Sequence, residues 1–272
     1  MVRRIIVKLI FAIALCLPLV GCQHVNRFEC AGAEKYVALT IDDGPSENDT
    51  NVILSLLAEY DAKATFFVPG ERLVDAEQIP PGCTGLTQAQ WHDAYLRNAH
   101  LKFSSVIEDM LEQGHELGNH SFFADEKTLL LNNREISSRA TCSDWLLRNF
   151  TRDPVEIHYF RPAGGLYRPR LSRTIAELNL TITLGDAWPF DTVIKNEDVL
   201  SALTKTQISK GSIIILHDGS KGDHKRGAQT VAVLRTLLPW LERERYRVVS
   251  LSELSAIKAC KLPNKPKYVN HK

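Results

Sequence analysis

Net charge is almost absent from this sequence: 33 lysines and arginines face 32 aspartates and glutamates, leaving +1 at neutral pH. That balance gives no reason to invoke nucleic-acid binding, which depends on an excess of basic surface. No internal repeat and no low-complexity tract occurs, which argues against repeat architectures. No Cys-x-x-Cys pair occurs, which argues against a cysteine metal site. The apolar run from Leu9 to Val20 is too short to cross a bilayer as a lone helix. What is present is an ordinary hydrophobic content of 44%, enough to build a core.

Arg3, Arg4 and Lys8 precede the apolar run, and Leu19-Val20-Gly21-Cys22 closes it. These are the proportions of a secretory signal peptide. Small residues before a cysteine resemble the lipobox of bacterial lipoproteins. The resemblance implies cleavage after residue 21 and a lipid on Cys22, which attaches the chain to a membrane. An ordinary signal peptide that happens to end near a cysteine is the alternative. Gln23 resembles the residue that follows the lipidated cysteine in outer-membrane lipoproteins. The expected location is the bacterial cell envelope, facing the periplasm or the exterior. There Cys30, Cys83, Cys142 and Cys260, an even number in an oxidising compartment, would form two disulfides.

Beyond that segment, short apolar runs rich in β-branched and aromatic residues alternate with helical patterns. Strands are expected at Tyr36–Ile41, Ala64–Val68, Glu116–His120, Ile157–Phe160, Thr181–Leu184, Ser212–His217 and Tyr246–Val249. Between them lie helical spacings such as Ile53, Leu56, Leu57, Tyr60 and Leu234, Leu237, Leu238, Leu241. Alternation of this kind predicts parallel strands covered by helices. Seven strand signals point to a barrel one unit short of eight, with an open doubly wound sheet as the alternative. The expected organisation is a signal over 1–21, a linker over 22–34, a folded domain over 35–258 and a basic tail over 259–272. Residues 72–100 read as an inserted loop, holding Pro80-Pro81-Gly82, Cys83, Trp91 and His92.

In either parallel architecture, ligands bind at the carboxyl ends of the strands. Those ends carry Asp42-Asp43-Gly44-Pro45, His120-Ser121, Arg161-Pro162, Asp191 in a stretch that follows the fifth strand, and His217-Asp218. Taken singly, each has a bland reading: a solvated turn, a polar loop histidine, a surface ion pair. Taken together, five strand ends deliver carboxylates, imidazoles and a guanidinium to one rim, a complementary set that chance does not readily explain.

These segments resemble the polysaccharide deacetylase family with the NodB homology domain, carbohydrate esterase family four. The resemblance spans roughly residues 35–255 and implies a distorted (β/α)7 barrel. It implies Asp42 as general base, Asp43 and His120 as ligands of a divalent ion, zinc first, Arg161 as the orienter of the base, and His217 as general acid held by Asp191. The family's second metal histidine is missing: Ala124 stands in its place, with Asp125 beside it. Asp125 is therefore the expected third ligand, the alternatives being a water or loss of the metal. His115, in the same strand, should lie too far from the rim. Trp188 replaces the first aspartate of the fourth motif. Pro162, Trp188, Phe190 and Leu216 are assigned to substrate, the last three as an apolar slot for the acetyl methyl; core packing is the other reading of the aromatics.

The resemblance implies removal of N-acetyl groups from an amino-sugar polymer or oligosaccharide, with a backbone N–H near the Arg161–Ala163 turn among the oxyanion donors. Two rivals remain at this stage. One is an O-deacetylase or deformylase acting on a glycan or glycolipid. The other is an inactive carbohydrate-binding lipoprotein.

Overall fold

In a computed structural model the described residues are 25–74, 102–124, 130–149, 154–165, 167, 169–219 and 226–262. In chain order, the first half comprises β1 (Glu29–Cys30), β2 (Lys35–Asp42), α1 (Thr50–Glu59), β3 (Ala64–Val68), α2 (Ser104–Glu112), β4 (Glu116–Asn119) and α3 (Asn133–Arg148). The second half comprises β5 (Tyr159–Phe160), α4 (Pro169–Glu177), β6 (Thr181–Ile182), α5 (Glu197–Gln207), β7 (Ile213–His217), α6 (Arg226–Arg243), β8 (Tyr246–Val249), α7 (Leu251–Ala256) and β9 (Cys260–Lys261). No described helix is long and apolar enough to cross a membrane.

The main sheet is parallel, in the order β6-β5-β4-β3-β2-β7, and β8 pairs with β2 as well. Strand β2 is central. Leu39–Asp42 pair with β3, Ala38–Asp42 with β7, and Lys35–Ala38 with β8. Past β6 the chain returns to β7 through the bridge Ala187 to Ile214. Val25 bridges Thr183 and Arg27 bridges Ser212, so the N-terminal stretch fills the gap between the two edges. The sheet thus curls into the distorted (β/α)7 barrel, with helices outside. Both faces of its strands are covered, which is why β2 is buried at every position after Lys35.

Two-residue alternation sorts that strand. Val37, Leu39 and Ile41 join the core with Ile53 and Leu57 of α1 and Leu234 and Leu237 of α6. Each such side chain contributes roughly 1.5–3 kcal/mol on full burial. Thr40 and Asp42 lie on the other face, toward the barrel interior.

Helix α3 has no counterpart among the expected elements. Its buried stripe, Ile136, Ala140, Ser143 and Leu147, is half small or polar, so hydrophobic spacing does not reveal it. Its start is nevertheless written locally: Asn132 and Glu135 form a reciprocal capping box. The fourth and fifth strands are shorter than expected, two residues each. One anticipated bridge closes Cys30 to Cys260, where β1 pairs antiparallel with β9. Cys142, buried in α3, is disulfide-bonded as well. Cys22, Cys83, most of the 72–100 insertion and most of the basic tail lie outside the described residues.

Candidate active site

The carboxyl ends of β2, β4, β5 and β7 meet at a pocket of about 360 Å³. Asp42 reaches it by strand alternation, with Thr40 buried beneath it on the same face. Asp43 would face the opposite way, but its φ of 70° breaks the strand and turns its carboxylate back into the same pocket. Aspartate accepts this left-handed conformation more readily than most residues. The two adjacent carboxylates therefore share one cavity.

Arg161, at the end of β5, is almost fully buried and anchors Asp42. Its Nη1 donates to Asp42 Oδ1 at 2.6 Å and to Thr40 Oγ1 at 2.7 Å. Its Nε and Nη2 donate to the carbonyls of Thr183 and Leu184, both at 3.1 Å. The guanidinium also sits 4.1 Å from the centre of the Phe67 ring. A planar fork held on this many sides leaves the Asp42 carboxylate a single orientation.

Opposite lies His120, just past β4. Its Nδ1 is 2.9 Å from the Arg161 carbonyl, a contact in which that nitrogen carries the proton and donates. Nε2 then faces the carboxylates, 3.4 Å from Asp43 Oδ1 and 4.0 Å from Asp42 Oδ2. Burial alone would lower the pKa of His120, but Asp42 and Asp43 outweigh it and raise it. Burial works against ionisation of Asp43 too, and His120, His217 and Arg226 overcome it to hold that carboxyl below its usual range.

These two residues fit a divalent ion. Asp43 Oδ1 is buried and has no hydrogen-bond partner among the described residues. Two donors bound at roughly 2.0–2.1 Å to one tetrahedral ion stand about 3.3 Å apart, close to the Asp43–His120 separation. No group of three or more His, Cys, Asp or Glu side chains placed to hold one ion occurs among the described residues. Ala124 lines the pocket, and Asp125 lies outside the described residues.

His217 completes the pocket from β7, in register with Asp42 across the sheet. Its Nδ1 contacts Asp191 Oδ2 at 2.8 Å and Oδ1 at 3.0 Å. Burial favours the neutral ring, yet Asp191 prevails and His217 is pushed up to about 9. Trp188 Nε1 donates to Asp191 Oδ1 at 3.1 Å, and Thr230 Oγ1 donates to the His217 carbonyl at 2.7 Å. The arrangement holds a proton on His217 and faces it with the Arg161-bound carboxyl group of Asp42, the pairing an acid–base hydrolase needs.

The expected substrate residues divide. Pro162 and Trp188 line the pocket. Leu216 does not: it is fully buried in the core, because strand alternation puts Ile215 and His217 on the pocket face and Leu216 behind them. Phe190 packs against Trp188, ring centres 4.5 Å apart, and supports that ring from outside the lining. Leu184 and Ile215 supply the apolar wall instead. His115 lies at the far end of β4, where its Nδ1 accepts from the Ala64 amide at 3.2 Å. Sequence reading also missed Arg226, whose Nη1 is 3.4 Å from Asp43 Oδ2. A lone arginine at a helix start carries no signal of the strand it will face.

The family model described as polysaccharide deacetylase matches residues 31–183, so Asp191 and His217 lie beyond the matched stretch. The peptidoglycan-N-acetylglucosamine deacetylase of Bacillus cereus is 31% identical over 238 residues, covering 84% of this chain and 91% of that protein. A family 4 acetyl xylan esterase from Clostridium thermocellum, solved in complex with a cobalt ion, is 25% identical with a TM-score of 0.60; the match covers 80% of this chain and 89% of that one. A CE4 family pseudoenzyme from Bacillus anthracis shares the fold at a TM-score of 0.63 and 20% identity, over 82% of this chain and 66% of its own.

Proposed function

The chain belongs to the polysaccharide deacetylase family, and on that premise we propose that its pocket hydrolyses the N-acetyl amide of an amino sugar in a cell-envelope polymer or oligosaccharide. Relatives named peptidoglycan-N-acetylglucosamine deacetylase and chitooligosaccharide deacetylase are hydrolases of carbon–nitrogen amide bonds, and this chain is an enzyme of that class. The observation that carries the reading is the convergence of two ion pairs, Asp42 with Arg161 and His217 with Asp191, around the Asp43–His120 pair.

Asp43 and His120 would hold a divalent ion, zinc in this proposal, with Asp125 as third donor. When bound, the ion supplies positive charge that polarises the acetyl carbonyl and makes an attacking water more acidic. Arg161 keeps Asp42 aimed, so that Asp42 takes the proton from that water. His217 delivers its proton to the amide nitrogen as the carbon–nitrogen bond breaks, leaving acetate and a free amine. Leu184, Ile215 and the Trp188 ring present an apolar wall for the acetyl methyl. We further propose that the mature chain is anchored in the cell envelope by a lipid on Cys22; the Cys30–Cys260 disulfide supports an oxidising location.

The test is acetate release from N-acetylglucosamine oligomers and from peptidoglycan, with and without chelator, then with zinc or cobalt restored. Metal-dependent release from either supports the reading. Release only from O-acetylated glycans moves the chemistry to the ester bond. No release from any substrate, with metal bound, makes this chain a pseudoenzyme. Asp125→Ala with unchanged metal affinity removes Asp125 from the ligand set.

A further inference from the structure

The turn that follows β2 carries the proposed base and a proposed metal ligand, and its backbone is left-handed at Asp43. Something must hold it against the strand that carries His217. The neighbour of that histidine, Asp218, is completely buried. No substrate-facing role is open to it, since it is not among the residues lining the pocket. Its contacts run to the turn instead. Ser46 Oγ donates to Asp218 Oδ1 at 2.8 Å, and Thr50 Oγ1 donates to Oδ2. The same Thr50 hydroxyl accepts from the Ser46 amide at 2.7 Å, and Ser46 Oγ accepts from the Asp49 amide at 3.2 Å. The carboxylate thus gathers the start of α1, whose Asp49 side chain makes no cap of its own.

The backbone joins from the other side. The Asp218 amide donates to the Asp42 carbonyl at 2.9 Å. Gly44 lies so close that a Cβ there would meet Asp218 Oδ2 at 2.6 Å, so only glycine lets the turn rest on this carboxylate. Arg72 Nε, donating to the Asp43 carbonyl at 3.1 Å, holds the turn from β3's side.

We infer that Asp218 is a positioning residue, a buried clamp that sets the Asp42–Asp43 turn at its working distance from His217. The inference rests on the proposed hydrolase reading for its kinetic consequence, but not for its structural one. Misplacement of a reacting group by about 1 Å can cost on the order of 100-fold in rate.

The test compares Asp218→Asn, Thr50→Val and Thr50→Ser in the full mature chain. Asp218→Asn and Thr50→Val are expected to lower kcat about tenfold or more with KM nearly unchanged, while Thr50→Ser, which keeps the hydroxyl, retains wild-type kcat. Amide hydrogen exchange followed by mass spectrometry should accelerate over residues 43–50 in the first two variants and stay unchanged in the other strands. Wild-type exchange over 43–50 together with wild-type kcat in a folded Asp218→Asn overturns the clamp. Should Asp218→Asn fail to fold, Thr50→Val decides by the same two readouts. An inactive wild-type chain would sink the hydrolase reading, and the exchange measurement would still decide the clamp.

Discussion

His217 Nδ1 stands 2.8 Å from Asp191 Oδ2, and the same carboxylate accepts a hydrogen bond from the Trp188 indole. Burial, which opposes ionisation of Asp191, is overcome by His217, by that indole and by Arg226, so the carboxyl stays below its usual range. The pair fixes which nitrogen of the imidazole is free to act.

The pH–rate profile should reflect this pair. With His217 pushed up to about 9, an acid required in its protonated form fails only as pH rises toward that value. Asp191→Asn should move the alkaline limb of kcat/KM down, toward the ordinary histidine value. An alkaline limb at the same pH in the variant would remove His217 from the acid role.

Metal uptake should depend on Asp43 and His120 and not on Asp42. His120→Ala and Asp43→Ala are expected to abolish tight cobalt binding, followed by calorimetry. Asp42→Asn should keep the metal and lose roughly 100- to 10,000-fold in kcat, the usual contribution of a general base.

Arg161 should matter for stability as well as rate. Its removal leaves Asp42 buried without a counter-charge, an arrangement that costs about 3–5 kcal/mol. Arg161→Met should therefore lower the midpoint of urea unfolding markedly, and Arg161→Lys should restore only part of it, because an ammonium cannot span Asp42, Thr40 and two carbonyls together.

Acid should weaken the fold through His115. Burial, assisted by Lys63, lowers this imidazole to about 4, and its neutral Nδ1 accepts the Ala64 amide. The unfolded chain takes up the proton first, near 6.5, so the stability contribution is complete above that pH and disappears as pH falls to about 4. The loss is on the order of 3 kcal/mol. His115→Gln, which can accept the same bond without titrating, should show a flatter stability curve between pH 6.5 and 4 in urea titrations; equal slopes would refute this.

The Cys30–Cys260 bridge links residues 230 positions apart and ties β1 to β9. Cys30→Ser should cost about 2–5 kcal/mol, measured as the drop in unfolding free energy under non-reducing conditions, with the pocket's metal affinity retained.

The amino-acid sequence alone determined the alternation of strands and helices, and with it the rule that chemistry collects at the carboxyl ends of parallel strands. Apolar spacing and residue type are local quantities, so Asp42, His120, Arg161 and His217 could be assigned to one rim before any contact was visible. The pairings were decided by the tertiary structure. Whether Leu216 or Ile215 meets the pocket depends on the phase of a two-residue alternation, which a continuous apolar run does not display. That Asp43 turns back beside Asp42 depends on one left-handed φ. Arg226 and Asp218 acquire meaning only through partners more than 160 residues away in the chain, and nothing local to either residue encodes such a distance.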